Sequence, residues 1–273
     1  MKVAVAYSGQ PRNIKKTWSN HKKYLIEPLK KQGYEVDIFC HFWFDDKEIG
    51  KEYISGSYLI GKIEDSKKFV TENIKTASLT FEKPKEFNKI NLIPDKRFPH
   101  PINRTFSMFK SWNNVASQIS NYETRNNFEY DLVFRMRTDL VFHKIFSNIS
   151  EFNLNNLYVL DKYAHLDYGV DDTFAFSNSS NIKSYLKIEE NINEIIKQGA
   201  AINPETLLGF YLNNFLGLNV VRKNFQIKLF RVSYLKYNKI RFIGEVQKYF
   251  YYLFINWKSN LKKFLKSWVK GLE

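Results

Sequence analysis

Between Tyr130 and Phe142 the chain reads YDLVFRMRTDLVF. Leu132, Val133, Phe134, Leu140, Val141 and Phe142 suit a buried strand, yet Arg135, Arg137 and Asp139 interrupt the run at every second position. Charges are rarely left buried unless they are paired or bind something. With 131–135 as a strand, all three charges emerge at its carboxyl end. Two guanidinium groups there can neutralise a diphosphate, each bidentately. Asp139 offers one oxygen to a hard divalent cation, and diphosphate oxygens can supply others. The alternative is an internal Arg–Asp pair with no ligand. Three alternating charges in one short stretch favour the functional reading.

Three further stretches carry chemistry. YSGQPR (7–12) follows the first apolar run. Ligands of open α/β sheets sit outside the carboxyl ends of strands, which is where Ser8, Gly9 and Arg12 would lie. A small turn with an arginine can bring backbone N–H groups and a guanidinium to a phosphate. An ordinary βα turn with a solvated Arg12 is equally consistent. In YGVDDTFAFS (168–177), Asp171 and Asp172 precede an apolar strand. One of them can act as general base on a hydroxyl, and adjacent side chains usually point apart, so only one should face a site. A turn or cap aspartate is the plainer reading. In NPETLLGFYL (203–212), Glu205 opens a helix, where the helix dipole alone favours a carboxylate.

The five histidines have no metal-ligand spacing, and His21 and His41 read as structural or surface residues. The single cysteine, Cys40, sits in an apolar stretch and reads as a buried thiol, which fits a reducing compartment. No nucleophile-elbow, zincin or kinase motif occurs.

These residues need elements to hold them. KVAVAYSG (2–9) reads as a strand, 14–32 as a helix stopped by Gly33, and EVDIFCHFWF (35–44) as a second strand. A strand–helix–strand opening implies a parallel sheet. A short helix (SKKFVTENI) and a strand (SLTFEK) follow, then a loop with Pro84, Pro94, Pro99 and Pro101. Residues 104–127 read as a helix, 156–160 and 172–177 as strands, 180–197 and 204–216 as helices, with late strands at LNVVR and FQIKLFRV. The 273 residues, 44% hydrophobic, allow one large α/β domain with an appendage. The expectation is a catalytic domain over 1–232 and a segment over 233–273.

Taken in order, VAVAYSGQPR, IFCHFWF, NRTFSMFKSW, YDLVFRMRTDLVF, YGVDDTFAFS and NPETLLGFYL resemble bacterial and viral glycosyltransferases of the GT-A type, akin to WavE-like lipopolysaccharide and capsule synthesis proteins. The resemblance spans about residues 1–216, and its most specific element is the RxRxD strand end. It implies a single Rossmann-like GT-A domain with a mixed, mostly parallel sheet. It implies a nucleotide-diphosphate sugar donor, with the nucleotide near Ser8, Gly9 and Arg12 and the diphosphate near Arg135 and Arg137. Asp139 takes the place of the last acid of a DxD motif and would hold Mn²⁺ or Mg²⁺. Arg137 stands where the first acid would be, so an arginine can take over part of the cation's work. Asp172 takes the acceptor-side position, and Glu205 lines the same cleft. Three other readings compete. A non-catalytic assembly protein would keep the fold and bind the donor without turnover. A metal-dependent phosphoester hydrolase would use Asp139, Asp171 and Asp172, but such sites need more carboxylates and often His. A nucleic-acid binder is suggested by a pI near 9.5, but its charge would need to cover the body.

It does not. Residues 220–273 hold 13 Lys or Arg against two Glu, so most of the net +14 lies there. From about residue 256 the spacing predicts a helix with Trp257, Leu261, Phe264, Leu265, Trp268 and Leu272 on one face, and Lys258, Lys262, Lys266 and Lys270 beside it. A basic helix with tryptophans at its apolar edge suits an anionic membrane surface. With no signal peptide and no apolar run near 20 residues, the expected location is cytoplasmic, peripheral at the inner membrane face, beside a lipid-linked acceptor. Truncation after residue 245 is expected to release the protein from anionic liposomes while preserving nucleotide-sugar binding. Equal pelleting of full-length and truncated protein at low and physiological salt would remove the anchor.

Overall fold

The computed structural model describes residues 1–55, 58–87, 102–146, 148–162 and 169–230; within Glu52–Lys62 and at Ile102 it describes the backbone only. The expected tail helix, the segment 233–273 and the loop through Pro94, Pro99 and Pro101 lie outside the described residues. One compact unit comprises Met1–Lys51 and Ile63–Phe230, and Glu52–Lys62 belongs to a second unit.

In chain order, β1 (Lys2–Gly9) leads to α1 (Ile14–His21), a π-helical turn (Lys22–Ile26) and α2 (Glu27–Lys31). Then come β2 (Glu35–Trp43), the hairpin strands β3 (Glu52–Ser55) and β4 (Tyr58–Lys62) of the second unit, α3 (Ser66–Asn73) and β5 (Ser78–Glu82). The long helix α4 (Ile102–Asn126) precedes β6 (Leu132–Met136), β7 (Leu140–Phe142), β8 (Leu157–Leu160) and β9 (Phe174–Ser177). The last described elements are α5 (Ser179–Leu186), α6 (Ile188–Lys197), α7 (Pro204–Phe210), β10 (Val220–Lys223) and β11 (Ile227–Leu229).

Seven strands form one sheet in the order β10-β8-β9-β6-β1-β2-β5. Pairing is parallel throughout except at β9, which runs antiparallel to both β6 and β8. The chain is therefore α/β with a mixed, mostly parallel sheet, as expected. Both faces are covered. Ala4, Ala6, Val133 and Ala175 face a core under α4, α5, α6 and α7. Val3, Val5, Tyr7, Leu132, Phe134 and Met136 face a second core that takes in Ile14, Trp18, Leu29 and Val70. Burial on both faces explains why β1 reads as a continuous apolar run rather than an alternating one.

Local chemistry sets several boundaries. Pro28 has no N–H to give the Tyr24 carbonyl one turn back, and Phe146 N–H donates to that oxygen instead, at 2.7 Å. The expected helix over 180–197 breaks at Lys187 into α5 and α6, which lets Ile182 and Tyr185, then Ile188, Ile192 and Ile195, all reach the same core. The helix expected over 204–216 leaves α geometry after Phe210, continues as a π turn (Tyr211–Leu216) and ends at Gly217 with φ 58°. β9 starts at Phe174 rather than 172, because the Asp171 carboxylate takes the Thr173 N–H and hydroxyl and folds those residues into a turn. Among the described residues, no helix is long and apolar enough to cross a membrane.

The end of α4 is locked to the loop before β6 and to α5 by one carboxylate. Buried Glu123 accepts from Tyr130 N–H at 2.9 Å, Ser179 Oγ at 2.6 Å and Lys183 Nζ at 2.8 Å. Glu123→Ala would leave a buried N–H and hydroxyl unpaired beside a cation. It is expected to cost about 3 kcal/mol, read as a lower midpoint in urea with an unchanged slope.

Candidate functional site

The chain reverses its direction of growth across the sheet between β1 and β6: from β1 the strands run outward to β2 and β5, and from β6 they run the other way. Ligands of such sheets sit at this switch point, beyond the carboxyl ends of the strands. Tyr7 is paired with Met136, so Ser8–Arg12 and Arg137–Asp139 leave the sheet side by side. Because β9 is reversed, its amino end lies at the same edge: Met136 pairs with Phe174, and Arg137 N–H donates to the Thr173 carbonyl at 3.0 Å. Val170 N–H donates to the Glu205 carbonyl at 3.1 Å, which brings the start of α7 to this loop. All four stretches singled out in the sequence therefore converge on one edge.

The two loops from β1 and β6 are stitched together. The Thr138 hydroxyl donates to the Arg12 carbonyl at 2.8 Å, and the Thr17 hydroxyl donates to the Thr138 carbonyl. Gly9 has φ 98°, a conformation other residues rarely adopt. Its N–H donates to Ser111 Oγ at 2.7 Å, and Ser111 Oγ lies 2.8 Å from His41 Nδ1. The Arg12 guanidinium holds Gln10 Oε1 through Nε and Nη2 at 3.0 and 2.7 Å.

Arg135 and Arg137 have different surroundings. Neighbouring β6 residues alternate faces, and Arg135 occupies a core position on the α4 side. Its Cζ lies 4.0 Å from the Trp112 ring centre, and Trp112 stacks on Tyr185 at 4.9 Å. Its Nη1 donates to the Asp172 carbonyl. Burial pulls this guanidinium below its ordinary value. Arg137 keeps 21% of its side chain exposed, and its Nε and Nη2 donate to the two oxygens of Asp139 at 2.9 and 2.7 Å. Burial alone would lower the Arg137 value. Asp139 and Asp172 outweigh it, so the group stays above its usual range.

Three carboxylates face this pair of arginines. Asp172 acts electrostatically on Arg135, Arg137, Asp171, Tyr185 and Glu205, and so sits at the centre of the cluster. Asp171 is fully buried, with Oδ1 held by Thr173 and Oδ2 3.9 Å from Lys162 Nζ. Burial, then Asp172, raises the Asp171 carboxyl. The same two causes, in the same order, push Glu205 up to about 8. Ser8 Oγ, Trp112 Nε1, Arg135 Nε, Asp171 Oδ2, Tyr185 OH and Glu205 Oε2 are buried without a hydrogen-bond partner. Orphaned buried polar atoms are costly, and Arg135, Asp171 and Glu205, which each carry one, all interact with Asp172.

Asp139, expected to hold a cation, has both oxygens engaged by Arg137. Among the described residues, no three His, Cys, Asp or Glu side chains are grouped to hold a metal ion. The donor set thus does not fit a protein-held cation, and the three-acid hydrolase site lacks Asp139 as a ligand.

Ser111, Trp112, Thr138 and Tyr185 are not among the site residues expected from the sequence, although Trp112 fits the helical spacing expected over 104–127. One signal for Ser111 was present: Ser107, Ser111, Asn114 and Gln118 mark a polar stripe at helical spacing on α4. That stripe bonds to Trp43, His41 and Cys40 of β2. His21 and His41 are buried structural residues, and Cys40 is fully buried with its thiol value raised by burial.

No protein-family model matches the chain, and no curated protein matches it.

Glu205 gives the site a pH signature. Its folded value of about 8 exceeds the ordinary 4.5, so the folded state holds a proton that the unfolded state releases between those limits. Stability from this group is full below about pH 4.5 and declines as pH rises towards 8. Glu205→Gln is expected to flatten that decline, gaining more in thermal midpoint at pH 8.5 than at pH 5. An equal shift at both pH values would refute the raised value.

Proposed function

We propose that this chain is a glycosyltransferase of the GT-A type. It moves a sugar from a nucleotide-diphosphate sugar to a growing cell-surface glycan, lipopolysaccharide or capsule, on a lipid-linked acceptor at the cytoplasmic face of the membrane. The observation that carries the reading is the meeting of Arg137 with Asp172 and Glu205 at the switch point, among buried polar atoms that lack partners. Guanidinium groups suit a diphosphate, and carboxyl groups suit sugar hydroxyls, which both donate and accept.

Each residue has a role in this reading. The turn at Ser8, Gly9 and Arg12 receives the nucleotide. Arg137 faces the diphosphate. Arg135, enclosed by Trp112 and bonded to the Asp172 carbonyl, fixes the peptide that carries the base. The acceptor hydroxyl attacks the anomeric carbon of the donor, and its proton passes to the Asp172 carboxylate. The bond between that carbon and the diphosphate oxygen breaks, and the nucleoside diphosphate leaves with the electron pair. Asp171 is a poorer base because Thr173 occupies one of its oxygens and the residue is fully enclosed. Glu205, protonated at neutral pH, can donate to a sugar oxygen.

A thermal-shift panel of UDP-, GDP-, CMP- and dTDP-sugars is expected to find one donor that raises the midpoint. With that donor, Asp172→Asn is expected to lower kcat about 10²–10⁴-fold with little change in donor affinity. Asp171→Asn should cost much less. The reverse ranking would move the base to Asp171, and a panel with no binder would end the nucleotide-sugar reading.

A further inference from the structure

The resemblance calls for a divalent cation at Asp139, and the geometry answers differently. Asp139 has no exposed surface, and its two oxygens accept from Nε and Nη2 of one guanidinium, at 2.9 and 2.7 Å. A cation bound to those oxygens would have to displace a planar, two-bond pair and sit against the Arg137 charge. No group of three acidic or imidazole ligands exists among the described residues to compensate.

The same pair prepares Arg137 for an anion. A guanidinium has five N–H donors, and Asp139 takes two of them. The Nη1 edge has no protein partner among the described residues, and 21% of the side chain is exposed. The backbone is fixed as well: Arg137 N–H donates to the Thr173 carbonyl, and Thr138 is bonded to the Arg12 carbonyl. Arg137 therefore offers a rigid, always charged fork beside the turn at the end of β1. The surrounding acids would oppose an anion if all were ionised, but Glu205 and Asp171 are both shifted towards their neutral forms.

Resting on the nucleotide-sugar reading above, we propose that Arg137, held in place by Asp139, binds the donor diphosphate and takes up the charge of the departing nucleoside diphosphate, so that transfer proceeds without a divalent cation. Asp139 is then a positioning residue that acts through Arg137. As the bond to the anomeric carbon breaks, negative charge gathers on the bridging phosphate oxygen. The guanidinium strengthens its hydrogen bonds there without any proton transfer.

The test begins with the unmodified full chain. Binding of the donor found in the panel, and of inorganic pyrophosphate, is measured by calorimetry in EDTA and in Mn²⁺ or Mg²⁺. The expected result is affinities within about twofold across these conditions, and a kcat insensitive to EDTA. Arg137→Lys keeps the charge but loses the fork; it should weaken pyrophosphate binding about tenfold or more, with no rescue by Mn²⁺. Asp139→Asn should weaken pyrophosphate binding equally in EDTA and in Mn²⁺, with the thermal midpoint checking that each variant is folded. Donor binding that requires Mn²⁺, with an increment lost in Asp139→Asn, would overturn the proposal and leave the glycosyltransferase reading standing. Absence of donor binding under every condition would overturn both.

Discussion

Two guanidinium groups at the end of β6 cannot be left in an apolar interior, and much of the surrounding architecture is the consequence. An unpaired buried charge is costly enough that a protein must supply partners or abandon the position. For Arg135 the partners are the Trp112 face and the Asp172 carbonyl. For Arg137 the partner is Asp139, two residues on. Each solution commits another element: α4 through Trp112, α5 through the Tyr185 ring stacked on it, and the loop before β9 through Asp172. Such a polar network is demanding, because each member left unsatisfied costs more than an apolar replacement would. Its retention at a sheet edge suitable for ligands is more economically explained by chemistry than by stability.

The reversed strand makes the arrangement possible. Were β9 parallel to β6, Asp171 and Asp172 would sit at the opposite end of the strands, a strand's length from Arg137. Antiparallel pairing brings the amino end of β9 beside the carboxyl end of β6, with Phe174 opposite Met136. The turn built by Asp171 and Thr173 then separates two adjacent carboxylates with similar sequence credentials. One is enclosed and bonded, and the other acts on Arg135, Arg137 and Glu205.

How much of this was legible in the sequence follows from the range of the interactions. β1 and β2 are long, buried on both faces and separated by a helix with a glycine stop, so local pattern determines them. The charged triplet 135–137–139 stood out because period-two charges conflict with an apolar strand. That Arg135 and Arg137 part company was not legible. Alternation places them on the same face of an ideal strand, but β6 ends at Met136, and the chain turns before Arg137 finds Asp139. The contribution of α4 was hidden for a similar reason. Ser111 and Trp112 are unremarkable helix residues until the tertiary fold sets them under Gly9 and Arg135. The break within a helix at Lys187 carries no proline or glycine signal and arises from packing, whereas Gly209 directly precedes the break after Phe210.

The protonation pattern ties these features together. Asp172, Asp171 and Glu205 crowd a site of low water content, and like charges in such a place cannot all ionise. Burial and the central carboxylate raise Asp171 and Glu205, while Arg137 is held charged by Asp139. The site thereby presents a guanidinium fork held by Asp139, with Asp171 and Glu205 displaced towards neutral hydrogen-bond donors. In the proposed reading that division would separate the tasks of a group transfer: a fixed positive charge where an anion departs, a base where a hydroxyl arrives, and neutral donors for the hydroxyls between them. The same crowding means that no one of these acids can be changed without moving its neighbours' titrations, so mutational effects within the cluster should be strongly non-additive.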